Sequence, residues 1–249
     1  MTSLFSIPVA RVTHDEAVSK IIEMAKTRDG RAKFVATLNV DFVANAVSAW
    51  PFKGDGELWG YLKKADLVTA DGMPLVVLSR LLRKPLPERV TGADMVPALC
   101  ERAAKEGLSV YVLGGDKDAL DEAFKRLAAV KVAGLDPAFV KLDSPDPAIV
   151  ERINAANPDI LFVALGNPKQ ELWMGRNLAS LRAGVVIGIG GTFNFIAGRV
   201  RRAPRWMQKS GLEWIYRISQ EPGRLWRRYA YGLVKFSYLS VLSLCGRFR

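Results

Sequence analysis

Cysteine and histidine are almost absent, with two and one respectively among 249 residues. Cys100 and Cys245 lie far apart with no pairing pattern, which excludes a disulfide framework or a paired-cysteine zinc site and fits a reduced compartment. The single histidine, His14, stands beside Asp15 and Glu16 and reads as a surface or capping residue, so histidine triads and histidine-rich metal sites are excluded. Glycine fingerprints are missing too. There is no Walker loop, and Gly188, Gly190 and Gly191 lack both the third-glycine spacing and the early position of a dinucleotide fold, which disfavours a nicotinamide oxidoreductase. No internal repeat or low-complexity segment occurs. The first residues reach Arg11, His14 and Asp15 before any long apolar core, so no secretory leader is expected and a cytoplasmic location is.

Acidic residues are scarce in one region only. From Ile196 to Arg249 there are 2 Asp+Glu against 12 Lys+Arg, so this segment carries +10 of the formal net charge of +11. Residues 1–195 are nearly balanced, with 24 basic and 23 acidic side chains. A basic total alone suggests nucleic acid, but charge confined to one segment argues for a local appendage instead.

About half of the residues are hydrophobic (49%), enough to bury a sizeable α/β core. Short apolar runs alternate with longer helical patterns, as in a parallel sheet with crossover helices. Strands are expected at Lys33–Leu38, Leu67–Ala70, Ser109–Leu113, Ile160–Leu165 and Gly184–Ile189. Helices are expected at Asp41–Trp50, Pro74–Arg83, Ala93–Glu106, Ala119–Ala129, Pro147–Ala156 and Lys169–Leu181. The expected fold is an α/β, Rossmann-like parallel-sheet core over residues 1–195, with a helical, basic C-terminal appendage over 196–249.

Ligands of such sheets bind beyond the carboxyl ends of the strands. Asp71 follows Leu67–Ala70 directly and is placed either to act as a general base in a cleft or to cap the helix that follows Gly72 and Pro74. Thr37, Asn39 and Asp41 fall on one side of the chain after the first strand, where Thr37 and Asn39 suit sugar hydroxyls or ordinary turn capping. Asp116 and Asp118 spell the acidic pair with which many sugar-nucleotide transferases hold a metal, and equally the acidic start of a helix.

The C-terminal segment combines arginines with aromatics. Arg217, Arg224 and Arg227 suit a diphosphate or lipid head groups, or form a solvated basic face. Leu225–Leu244 is largely apolar, yet Lys235 interrupts it and a membrane span is not expected. An interfacial helix is expected instead, with Trp226, Tyr229, Tyr231, Phe236 and Tyr238 at head-group level on an anionic surface.

In order along the chain, TLNVDFV, ADGMPLV, ERVTGADMV, VLGG, ALGNPKQE, GIGGTFNFIAG and RRAPRWMQKSGLEWIYRISQEPGR resemble the WecG/TagA/CpsF glycosyltransferase family from about Thr37 to Arg228. The resemblance implies an inverting, metal-independent transferase that needs no cofactor. Its donor is a UDP-sugar, often UDP-N-acetylmannosamine or else a hexose, and its acceptor is a polyprenyl-diphosphate-linked sugar in exopolysaccharide or teichoic-acid-like assembly. Carried over by motif, Asp71 is the candidate base and Thr37, Asn39 and Gln170 are pocket residues. Arg217, Arg224 and Arg227 are appendage arginines that reach the diphosphate. The resemblance also allows a homo-oligomer formed through the core, and a peripheral position on the inner face of the membrane. Nucleic acid is not an expected partner. Asn194 departs from the pattern, since an aspartate is expected after GGTF.

Overall fold

A computed structural model describes residues 1–137, 140–143 and 146–248, apart from the side chains of Lys209 and Arg224. A short antiparallel pair, β1 (Thr2–Leu4) and β2 (Ile7–Val9), leads into α1 (His14–Lys26), β3 (Lys33–Leu38), α2 (Val40–Ala46) and α3 (Gly56–Lys64). There follow β4 (Leu67–Ala70), α4 (Met73–Leu81), α5 (Gly92–Lys105), β5 (Ser109–Gly114), α6 (Lys117–Arg126), β6 (Lys131–Asp136) and α7 (Pro147–Ala156). The chain continues through β7 (Ile160–Ala164), α8 (Lys169–Asn177), β8 (Val185–Gly188) and α9 (Thr192–Ile196), and closes with α10 (Arg205–Ser210), α11 (Glu213–Gln220) and α12 (Pro222–Leu244).

Six strands form one parallel sheet in the order β4-β3-β8-β7-β5-β6, the Rossmann-like α/β core that the alternation implies. Side chains alternate strictly across it. Phe34, Ala36 and Leu38 of β3 join one apolar layer and Val35 the other. Leu161 and Val163 of β7 oppose Ile160 and Phe162 in the same way. Both faces are covered, which is why these strands read as continuous apolar runs.

The elements differ from expectation in places. The helix after β3 ends at Ala46, not Trp50, because Ala49 pairs with Phe52 across the Trp50–Pro51 peptide. β1, β2, α1, α3 and β6 were not expected.

The largest correction concerns α12. Phe236 and Tyr238 do not face outward. Phe236 is 6% exposed and meets Phe5 edge-on at 5.8 Å, while the Tyr238 hydroxyl donates to the Trp50 carbonyl at 2.6 Å. Lys235 also turns inward, its Nζ donating to the Lys53 carbonyl at 2.5 Å, and burial holds its pKa below the usual lysine value. α12 therefore rests one face on α2 and the β1–β2 region, leaving Trp226, Tyr231, Val234 and Val241 exposed. Among the described residues, no helix is long and apolar enough to cross a membrane.

Candidate active site

The loops after β3, β4, β7 and β8 meet the C-terminal helices around a cleft of about 390 Å³. Its lining includes Thr37, Asn39, Asp71, Gln170, Asn194 and Arg217. Five of the seven candidate residues thus converge from segments spread over 180 positions, because every strand runs the same way and delivers its following loop to the same edge.

Asp71 lies half-buried just past β4, its N–H held by the Leu38 carbonyl at 2.7 Å. It does not cap α4. The cap position there is Gly72, which makes no side-chain capping bond. The carboxyl instead meets the Gly92 N–H at the start of α5. Loss of hydration pushes its pKa up to about 7. The Arg89 guanidinium and the Gly92 N–H oppose that rise, and the Glu213 and Asp94 charges reinforce it. A carboxyl balanced near neutrality accepts a proton at physiological pH without being permanently protonated.

Around it stands a charged cluster that joins the core to the C-terminal helices. Arg89 Nη1 lies 2.6 Å from Glu213 Oε2, and Arg202 Nη1 lies 2.5 Å from Asp94 Oδ1. The Gln208 carbonyl oxygen accepts from both guanidinium groups, at 3.4 and 3.1 Å. None of these residues was singled out from sequence. Arg89 and Glu213 are 124 positions apart, so no local spacing marks them.

Gln170 sits behind the cleft wall and organises it. Its Oε1 accepts from the N–H groups of Gly166 and Gly190 at 3.1 and 2.9 Å. Its Nε2 donates to Glu171 Oε1 at 2.5 Å, and Asn167 Nδ2 donates to the other Glu171 oxygen at 2.9 Å. Burial pushes the Glu171 pKa up to about 7, with the two amide donors opposing it. Thr37 donates to the Gly188 carbonyl at 3.3 Å, and Asn39 caps α2 by accepting from Asp41 and Phe42. Both side chains line the cleft and both perform local structural work as well.

The arginines separate. Arg217 borders the cleft with its guanidinium over the Phe195 ring at 5.3 Å, and it forms no ion pair among the described residues. Arg227 is not part of the lining; it stands on the outer face of α12 over the Trp226 ring at 5.5 Å. The Arg224 side chain lies outside the described residues. Arg228, not anticipated, reaches the cleft and pairs with Asp41 at 2.6 Å. Asp116 caps α6 through the Ala119 N–H at 3.0 Å and pairs with Arg199 at 2.5 Å, and Asp118 lies 3.7 Å from the same guanidinium. His14 begins α1 and touches Asp15 at 3.1 Å, remote from the cleft. Asn194 lines the cleft in a half-buried position.

Two relatives carry the name N-acetylglucosaminyldiphosphoundecaprenol N-acetyl-beta-D-mannosaminyltransferase. One, from Bacillus spizizenii, is 33% identical over 171 residues, covering 67% of this chain and 65% of its own. The other, from Bacillus subtilis, is 30% identical over 198 residues, covering 78% of this chain and 73% of its own. The family model described as glycosyl transferase WecG/TagA/CpsF matches residues 2–249. The chain belongs to that family of glycosyl transferases.

Proposed function

We propose that the protein is an inverting transferase that moves a sugar, of the N-acetylmannosamine or hexose type, from a UDP-sugar to a polyprenyl-diphosphate-linked sugar during assembly of a cell-surface polysaccharide. The observation that carries this is Asp71, a half-buried carboxyl free of ion pairs among the described residues, at the strand edge of a cleft bordered by the unpaired Arg217. The names of the two relatives supply the class of acceptor and of transferred sugar.

In this reading the acceptor hydroxyl oxygen attacks the anomeric carbon as the bond from that carbon to the UDP phosphate oxygen breaks. The hydroxyl proton passes to Asp71 and UDP leaves with the bonding pair. Stabilising that leaving charge requires fixed cations close to the diphosphate. Arg217 supplies one, and Arg228, already at the rim with Asp41, a second. No metal is needed for this, since Asp116 and Asp118 are engaged by a helix start and by Arg199. The exposed Trp206, Trp214 and Trp226 beside the basic residues of 196–249 suit a peripheral position on an anionic membrane surface.

The test is a screen of UDP-sugars against a short-chain polyprenyl-diphosphate sugar in the presence of EDTA, read by mass spectrometry. One donor should give a product longer by one sugar. No product with any donor, together with salt-sensitive DNA binding and no UDP affinity, would overturn the proposal in favour of a nucleic-acid-binding protein.

A further inference from the structure

Glu213 is the first residue of α11, and its carboxylate reaches back from the C-terminal helices to the core. It is placed between two cations. Arg89 Nη1 lies 2.6 Å from one carboxylate oxygen, and Arg202 Nε lies 3.8 Å from the other. The Glu213 and Arg89 side chains are only 20% and 15% exposed, so water screens this pair poorly. Asp71 lines the same cleft as both and is paired with neither guanidinium.

We propose that Glu213 is a positioning residue for the transfer reaction, holding the Arg89 guanidinium on the C-terminal helices and off Asp71, so that docking of α11 prepares the base. The inference rests on the assignment of Asp71 as that base. A carboxylate with a guanidinium beside it becomes a weak base. Arg89 is the cation acting most strongly on Asp71, and Glu213 is the anion acting most strongly against that effect. With Glu213 removed, Arg89 is free to turn to Asp71 and one repelling charge is lost; both changes lower the Asp71 proton affinity.

The other charged groups around Asp71 do not substitute for Glu213. Asp94, on α5, is bound to Arg202 and to the Thr91 hydroxyl. Asp41, at the start of α2, is paired with Arg228 of α12. Arg217 of α11 lies over Phe195, and Glu221 and Tyr229, at the far wall, have partners of their own. Only Glu213 spans from the helices to Arg89.

The test is a carbon-13 NMR titration of the Asp71 carboxyl in the free, full-length protein, with kcat/KM measured across pH alongside. In Glu213→Gln, Asp71 should titrate about one to two pH units lower than in wild type. The acid limb of kcat/KM should move down with it, while the plateau falls about three- to tenfold as the base weakens. Glu213→Asp, which keeps the charge, should return the limb close to its wild-type position. Arg89→Gln should move the titration upward, because the opposing cation is gone, and it carries the test even if the Glu213 variants fold poorly. A purely architectural Glu213 would lower activity at every pH and leave the Asp71 titration in place. That result, or shifts of the same sign in Glu213→Gln and Arg89→Gln, overturns the proposal. Asp71→Asn separates the two levels: full turnover in that variant defeats the base assignment itself, whereas lost turnover with an unmoved limb in Glu213→Gln defeats only the role of Glu213.

Discussion

Gln170 Nε2 donates to Glu171 Oε1 at 2.5 Å in a place where the two residues are 2% and 0% exposed. The bond fixes which way the Gln170 amide faces, and so presents its oxygen to Gly166 and Gly190 in two different loops of the cleft. Gly188 makes the space, since a Cβ there would fall 2.6 Å from Gln170 Nε2 and 2.7 Å from Glu171 Oε1.

Gln170→Leu keeps the bulk but strands two backbone N–H groups and one Glu171 oxygen. Leaving a buried polar group unsatisfied costs about 1–3 kcal/mol, so urea unfolding should show a loss of about 2–5 kcal/mol. A loss below about 1 kcal/mol would mean that the loops hold without this network.

Glu171 also predicts a slope of stability against pH. Its folded pKa of about 7 stands above the ordinary 4.5, so the folded state binds the proton more tightly than the unfolded chain. Its contribution is complete below about 4.5 and is lost as pH rises through about 7. Denaturant midpoints measured from pH 4.5 to 8 should therefore decline less steeply in Glu171→Gln than in wild type. Parallel slopes would contradict the assignment, whatever the absolute stabilities.

Arg217 and Arg227 are predicted to part company although both are motif arginines. Arg217→Ala, at the cleft, should lower kcat at least tenfold, the scale of one lost charge-stabilising donor being about 10²–10³. Arg227→Ala should leave turnover of a water-soluble acceptor within about twofold and weaken binding to anionic vesicles. Equal losses of turnover in the two variants would place Arg227 at the diphosphate after all.

The two faces of α12 should separate in the same manner. Phe236→Ala removes a ring packed on Phe5, and loss of a buried Phe costs about 3–5 kcal/mol. Trp226→Ala removes an exposed ring and should change thermal stability by less than about 0.5 kcal/mol while reducing vesicle binding. Vesicle sedimentation beside thermal melts distinguishes them.

Much of this architecture was legible from sequence because the sheet is parallel and covered on both faces. Val35, Phe162 and Ile187 need no partner on the surface, so their strands stand out as apolar runs. β6 was not legible, since it lies at the sheet edge with Lys131 and Val132 exposed and Gly134 within it. β1 and β2 are three residues each, too short for a period to register. Asp71, Thr37, Asn39 and Gln170 were found because loops after parallel strands share one edge, though Gln170 proved to hold the wall of the cleft. Arg89, Arg202 and Glu213 were missed for the opposite reason, since their pairing exists only after α10 and α11 fold back. The inward turn of Phe236 and Tyr238 was missed because an apolar helix face gives the same pattern whether it meets lipid or protein.

The most direct measurement is the turnover of Asp71→Asn with the identified donor and acceptor, taken across pH 5.5 to 8.5 beside the wild type. The substitution keeps size and removes only the proton acceptor, and loss of a general base costs about 10² to 10⁴ in rate. The account predicts a loss of that order with UDP affinity and thermal stability preserved, and the disappearance of the wild-type acid limb near pH 7. Turnover above about half of the wild-type value would remove Asp71 from the chemistry.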